Sequence, residues 1–137
     1  MILNNTKESY DPFAKLYLDK TVSAREIAEF ILDYLRIDRD TLKIKYFSNK
    51  NLSLQQKILF YFLALKVMKL QKLRDTDTAT PSRLNIELKE LNPSSVRPVL
   101  RMLVKKHLLS YNDKTSEYFI RANQIDPAKA YIQIKER

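Results

Sequence analysis

Hydrophobic and polar positions between residues 93 and 106 follow a helical period. An apolar stripe recurs at i, i+3, i+4, i+7 and i+8 and consists of Val96, Val99, Leu100, Leu103 and Val104. A basic stripe occupies the opposite side and consists of Arg97, Arg101 and Lys105. The pattern predicts an amphipathic helix over about residues 95–106, with one buried edge and one basic edge exposed to solvent.

Pro98 bears on where this helix begins. If Ser95 is the N-cap, Pro98 stands at the third helical position, where a backbone N–H has no partner inside the helix. A start at Asn92 would place Pro98 in the helix interior, at a cost of about 3 kcal/mol. We therefore expect Ser95 to be the N-cap.

Shorter elements flank this helix on both sides. Thr80 can cap a helix that Pro81 opens, and the buried edge of that helix is expected to be Leu84, Leu88 and Leu91. Residues 108–111 and 117–121 are rich in apolar and aromatic side chains and predict two strands. The polar residues 112–116 between them favour a turn.

The order of two helices and a hairpin over residues 80–120, and above all the segment PSSVRPVLRMLVKKHLL, resembles the winged helix-turn-helix DNA-binding superfamily of archaeal and bacterial transcriptional regulators. The resemblance implies a mostly α (α+β) fold with a two-stranded wing at about residues 109–121. It also implies sequence-specific binding of double-stranded DNA, with residues 95–106 in the major groove and the wing on the flanking backbone. The residues expected to contact DNA are Arg83, Ser94, Ser95, Arg97, Arg101, Lys105, Lys106, Lys114 and Arg121.

Patterns before and after this segment predict further elements. Capping boxes at Ser53 and Ser23 predict helices over about residues 54–73 and 24–35. A short helix is expected at Asp11 and Pro12, and alternation over residues 42–46 predicts a strand. We divide the chain into an N-terminal helical extension, residues 1–50, and a winged-helix domain, residues 51–137. After the wing, Asp126 and Pro127 can start a helix, although residues 130–134 also alternate as a strand does.

The predicted helix over residues 54–73 is apolar on nearly every side and must be covered on most faces. Either the N-terminal extension covers it, or the excess apolar surface forms a dimer interface that matches a two-fold operator. We expect a homodimer. A further alternative is an effector pocket between the N-terminal helices and the helix over residues 54–73. Core packing is the commoner role for the aromatic residues there, which are Phe30, Tyr34, Phe60 and Phe62.

Charge is distributed unevenly along the chain. Residues 1–50 hold 9 Lys and Arg against 8 Asp and Glu, a balance of +1, whereas residues 51–137 hold 16 against 8, a balance of +8. The positive charge therefore coincides with the segment that resembles a winged helix, as nucleic-acid binding requires. A winged helix that binds protein or RNA within a larger assembly is the alternative function.

The residue inventory argues against catalysis. Without cysteine and with one histidine, His107, the chain has no cysteine nucleophile and no zinc site built on Cys or several His. Without glycine it has no phosphate-binding glycine loop, and its turns are expected to use Asn, Asp, Ser and Pro. We expect no enzyme activity, metal or cofactor; a small enzyme would need a metal held by carboxylates alone.

No membrane segment or signal peptide is expected. The most apolar run, residues 58–65, is too short to span a bilayer, and residues 1–10 are polar. The sequence therefore predicts a cytoplasmic protein without membrane contact.

Overall fold

A computed structural model describes residues 23–47, 51–88 and 93–136. Across these residues five helices and two antiparallel two-stranded sheets form an α+β architecture. The expected short helix at Asp11 and Pro12 lies outside the described residues. In chain order the elements are α1 Ala24–Ile31, β1 Leu35–Ile37, β2 Ile44–Tyr46, α2 Leu54–Leu70, α3 Pro81–Glu87, α4 Pro93–Lys105, β3 Ser110–Asn112, β4 Glu117–Phe119 and α5 Ala122–Glu136.

Helix α2 forms the centre of the core. Its predicted capping box is confirmed, because the Ser53 side chain accepts from the Gln56 N–H while Gln56 Oε1 accepts from the Ser53 N–H. Gln56 also donates to the Ile132 carbonyl of α5 at 3.2 Å. Each residue from position 58 to position 65 is at most 1% exposed. The helix is therefore enclosed on every side, as its apolar sequence requires.

Other elements of the same chain provide this enclosure. Helix α1 packs along α2, where the rings of Phe30 and Tyr34 lie 5.9 Å and 4.5 Å from the ring of Phe60. Phe62 is fully buried, so these four aromatic residues belong to the core. Helices α4 and α5 cover other faces of α2. The apolar surface that suggested a dimer interface is thus buried within one chain, and the homodimer stays a prediction without that argument.

Residues 23–47 of the N-terminal extension form a helix and two strands, of which the second strand and the start of the helix were predicted. Helix α1 begins with Ser23 as N-cap, as predicted, but ends at Ile31, because residues 32–34 turn and bury Leu35 at the start of β1. Strands β1 and β2 pair antiparallel, and the Phe47 N–H donates to the Tyr34 carbonyl beside them. The described part of the extension is therefore a helix followed by a hairpin.

Helix α4 begins two residues earlier than predicted. It starts at Pro93, so Ser95 lies inside the helix and Pro98 occupies its interior. Pro98 has no N–H to offer the carbonyl of residue 94, a loss of about 3 kcal/mol in an ordinary helix. Its ring lies on the exposed edge, whereas Val96 and Leu100 are fully buried. We infer that burial of this apolar edge offsets the missing hydrogen bond.

The C-terminal segment, for which the sequence allowed either a helix or a strand, forms helix α5. Residues from Ala122 onward are helical, with Ile125, Ala128 and Ile132 buried against the core. The helix starts four residues before Asp126, and Pro127 therefore lies inside it. The alternation that also suggested a strand is overridden by this packing.

A third short segment joins the hairpin of β3 and β4. Ala79, between α2 and α3, forms an antiparallel bridge with Tyr118 through backbone hydrogen bonds of 3.0 Å and 2.8 Å. The buried Asp77 anchors this segment to α2, because its carboxylate lies 2.5 Å from Lys66 Nζ and 3.9 Å from Lys69 Nζ. The pattern of the sequence does not predict this bridge.

Left-handed backbone is adopted without glycine. The positions with positive φ are Leu42, Lys72, His107 and Ser116. Lys72 and His107 end α2 and α4 in the same way: the next residue, Leu73 or Leu108, donates its N–H five positions back along the helix. The expected turn formers act as side-chain acceptors instead, since Asp38 accepts from Asp40 and Thr41, and Asn112 accepts from Lys114.

Candidate nucleic-acid interface

Helix α4 separates into a buried and a basic edge, as its sequence predicts. Val96, Leu100 and Leu103 are fully buried, and Val99 and Val104 pack partly against the core. The exposed residues on the other edge are Arg97, Arg101 and Lys105. Because α3 and α2 hold the apolar edge, the basic edge is presented on a rigid support.

A pair of tyrosines on the hairpin lies beside this basic edge. Tyr111 and Tyr118 face each other across β3 and β4, with ring centroids 4.6 Å apart. Burial raises the pKa of the Tyr118 hydroxyl, the Tyr111 phenol raises it further, and Arg101 and Arg97 oppose the rise. The two guanidinium groups therefore lie within electrostatic range of Tyr118. Tyr111 is 44% exposed and is available to a ligand of the same surface.

The tip of the hairpin carries Lys114. The Asn112 Oδ1 accepts from the Lys114 N–H at 3.0 Å, and Ser116 takes the left-handed conformation that returns the chain to β4. Residues 111–116 are all exposed. The tip thus presents the Lys114 ammonium group to solvent on a turn that side-chain and backbone geometry define.

Two other predicted contact residues, Lys106 and Arg121, lie against aromatic rings. Lys106 Nζ is 5.9 Å from the Tyr131 ring of α5, and Arg121 lies over Phe119 at 5.7 Å. Because side chains alternate along a strand, Phe119 points to the opposite face of the hairpin from Tyr118. Arg121 nevertheless lines one surface cavity together with Tyr111 and Gln124.

The remaining predicted residues belong to the starts of α3 and α4. Helix α3 has Thr80 as its N-cap and Pro81 in its first turn, as predicted, and exposes Arg83. The Arg83 Nε lies 3.9 Å from the Glu87 carboxylate one turn later. Ser95 is half-buried in the first turn of α4, and the side chain of Ser94 lies outside the described residues.

Gln124 holds the hairpin, α4 and α5 in place, and sequence reasoning did not identify it. Its Oε1 accepts from the Ser110 hydroxyl and from the Arg121 N–H, both at 2.9 Å. Its Nε2 donates to the carbonyl of His107 at the end of α4. The spacing of Arg121 and Gln124 is that of a capping box, which is the signal that could have found it.

The described residues offer little for other chemistry. They contain no group of three or more His, Cys, Asp or Glu side chains that could hold a metal ion. His107 is exposed and acts through its backbone at the end of α4. In the described part of the chain, no helix has both the length and the apolar character that crossing a bilayer requires.

Comparison with known proteins identifies no relative: no family model, curated protein or solved structure matches this chain.

Proposed function

We propose that this protein is a winged-helix transcriptional regulator that binds double-stranded DNA sequence-specifically through α4 and the β3–β4 hairpin. The order of elements supports the proposal, since α3 and α4 pack together and the hairpin follows directly. The bridge between Ala79 and Tyr118 gives the hairpin a further backbone attachment beside these helices. In this proposal α4 is the recognition helix and the hairpin is the wing.

The observation that carries the proposal is the exposed pair Arg97 and Arg101 beside Tyr118. A helix about 10–12 Å across matches a major groove about 12 Å wide. Residues four apart on a helix are separated by about 6 Å along its axis, close to two steps of about 3.4 Å in B-DNA. Arg97 and Arg101 can therefore reach bases about two steps apart, each through a bidentate contact with guanine.

The other basic residues take peripheral roles in this arrangement. Lys105, Lys114 and Arg83 are exposed around α4 and contact phosphates, while Lys106 and Arg121 extend the contacts on the α5 side. Two copies on a two-fold operator would place one recognition helix in each half-site, and this is the form of homodimer we propose. The regulator acts in the cytoplasm.

Selection of genomic DNA fragments by the purified protein tests the proposal. Against the selected site, Arg97→Ala and Arg101→Ala should each cost about 1–3 kcal/mol of binding while leaving the melting temperature nearly unchanged. Arg39→Ala, on the exposed turn between β1 and β2, is the matched control and should lose much less. If both α4 variants bind as tightly as the parent protein, α4 does not read the site.

The salt dependence of the binding constant distinguishes a DNA-binding protein from a protein-interaction module. If roughly 4–6 phosphates are neutralised per protomer, log K should fall with log salt at a slope of about −4 to −5. Lys114→Ala should weaken binding to all sequences alike and make the slope shallower by about one unit, because a phosphate contact carries no base information. No measurable affinity for duplex DNA at low salt would favour a subunit that binds protein or RNA within an assembly.

A further inference from the structure

We propose that a surface cavity between residues 74–80, the start of α3 and the wing binds a phosphoryl group. Its volume is about 400 Å³. The residues that matter to the proposal line its walls and are Arg74, Thr76, Thr78, Ser82, Arg83 and Glu117. None of these except Arg83 was expected from the sequence to contact a ligand.

Two guanidinium groups from different elements converge at this cavity. Arg74 follows the end of α2 and Arg83 lies in α3, yet both are close enough to the buried Tyr61 hydroxyl to oppose the rise in its pKa. Burial, with a further contribution from Glu87, nevertheless raises the pKa of Tyr61 to about 12. Both arginines also line the cavity, so two separate segments of the chain offer guanidinium groups to one anion.

Hydroxyl groups supply the neutral part of the cavity. Thr76 and Ser82 are exposed on its walls, and Thr78 Oγ1 is buried without a hydrogen-bond partner among the described residues. Ser, Thr and Arg side chains are common donors to phosphate oxygens, which accept several hydrogen bonds at once. Hydroxyl groups beside two guanidinium groups thus match a phosphoryl group in both charge and hydrogen bonding.

Two carboxylates near the cavity reduce its positive charge. Neutralising a carboxylate and neutralising an arginine should therefore change anion affinity in opposite directions. Glu117 lines the wall contributed by the wing, and Glu87 lies 3.9 Å from Arg83 Nε. Neutralising Glu117 should therefore strengthen anion binding, whereas neutralising Arg74 should weaken it. A cavity that simply results from imperfect packing would not respond to both changes in opposite directions.

The source of the phosphoryl group is either the DNA backbone, in which case the inference rests on the proposed function, or a small phosphorylated ligand. The test uses Arg74→Gln and Glu117→Gln in the full chain. Their controls, Arg39→Gln and Asp40→Asn, make the same charge changes on the exposed turn between β1 and β2. Melting temperatures check that all four variants are folded.

Duplex DNA is titrated at several salt concentrations in the first arm. Arg74→Gln should weaken binding and make the salt slope shallower by about one unit, whereas Glu117→Gln should tighten binding. Both effects should exceed those of the controls. In the second arm inorganic phosphate and pyrophosphate are titrated while the backbone amide signals of Thr78 and Ser82 are followed by NMR.

Each outcome decides the inference separately from the proposed function. If the parent protein binds no DNA, but phosphate or pyrophosphate shifts the Thr78 signal and Arg74→Gln abolishes the shift, the cavity takes a small ligand and the proposed function fails. If DNA binds but both variants behave as their controls and neither anion shifts Thr78, the inference is overturned while the proposed function stands. If neither DNA nor the anions bind, both proposals fall.

Discussion

Helices α2 and α4 differ in how many of their faces the rest of the chain covers. Helix α2 carries apolar residues on every side and is enclosed by α1, α4 and α5. Helix α4 buries one edge and exposes Arg97 and Arg101 on the other. A helix buried all round can contribute to function only by supporting other elements, whereas a helix buried on one edge leaves the other for a partner. The contrast separates scaffold from candidate interface within one small protein.

The largest expected effect lies at the centre of α2. Phe62→Ala should destabilise the fold by about 3–5 kcal/mol, because a fully buried ring is removed and the enclosed helix leaves a cavity. Chemical denaturation monitored by circular dichroism measures the change. A loss below about 1 kcal/mol would mean that α2 is not enclosed as the structure has it.

The two edges of α4 should respond in opposite ways. Leu100→Ala should cost about 2–5 kcal/mol of stability, since Leu100 is fully buried, and should weaken the proposed DNA binding only as a consequence of unfolding. Arg101→Ala, one residue further along, should change stability by less than about 0.5 kcal/mol. An unchanged melting temperature for Leu100→Ala would show that the buried edge has been assigned to the wrong side.

Within α2, the Tyr61 hydroxyl is buried beside the Arg74 guanidinium group, which lowers its pKa through a hydrogen bond. Tyr61→Phe should therefore change the stability by less than about 1 kcal/mol at neutral pH, because loss of the Arg74 interaction opposes the gain from no longer burying a hydroxyl. The pKa of Tyr61 is raised to about 12, so the unfolded chain loses this proton first as pH rises above about 10. The parent protein should thus lose stability between pH 10 and about 12 relative to Tyr61→Phe. Denaturation of both proteins across this range tests the expectation, and parallel pH profiles would contradict it.

The smallest effects concern the ends of α2 and α4. Lys72 and His107 hold left-handed backbone, which costs a residue with a Cβ roughly 1–2 kcal/mol. Replacement of either by Gly should stabilise the fold by about 0.5–1 kcal/mol, after the greater freedom of glycine in the unfolded chain is deducted. Ala130→Gly, at an exposed position inside α5, is the control and should destabilise the fold by about 1 kcal/mol. Destabilisation by Lys72→Gly would show that its backbone is not left-handed in solution.

The sequence by itself determined the features that depend on neighbours within one or two turns. Helical period predicted the buried and basic edges of α4, because residues three and four apart share a face whatever the rest of the chain does. Capping boxes predicted the starts of α1 and α2, and Thr80 followed by Pro81 predicted the start of α3. A polar run between two apolar ones predicted the hairpin of β3 and β4. For the interface, exposure of Arg97, Arg101 and Lys105 followed from the same local pattern.

Tertiary structure decided the features that depend on distant partners. Helix α4 begins before Pro98 and includes it, because the free energy gained by burying Val96 and Leu100 exceeds the cost of one lost hydrogen bond. The local sequence does not determine which of these two contributions is larger. The choice of helix for α5 follows from its packing on α2, to which Gln56 contributes a bond across 76 positions. Likewise Ala79 pairs with Tyr118, and Arg97 and Arg101 come within electrostatic range of Tyr118, only after the chain has folded back on itself. Spacing along the sequence predicts neither approach, because each brings together segments that are separated along the chain.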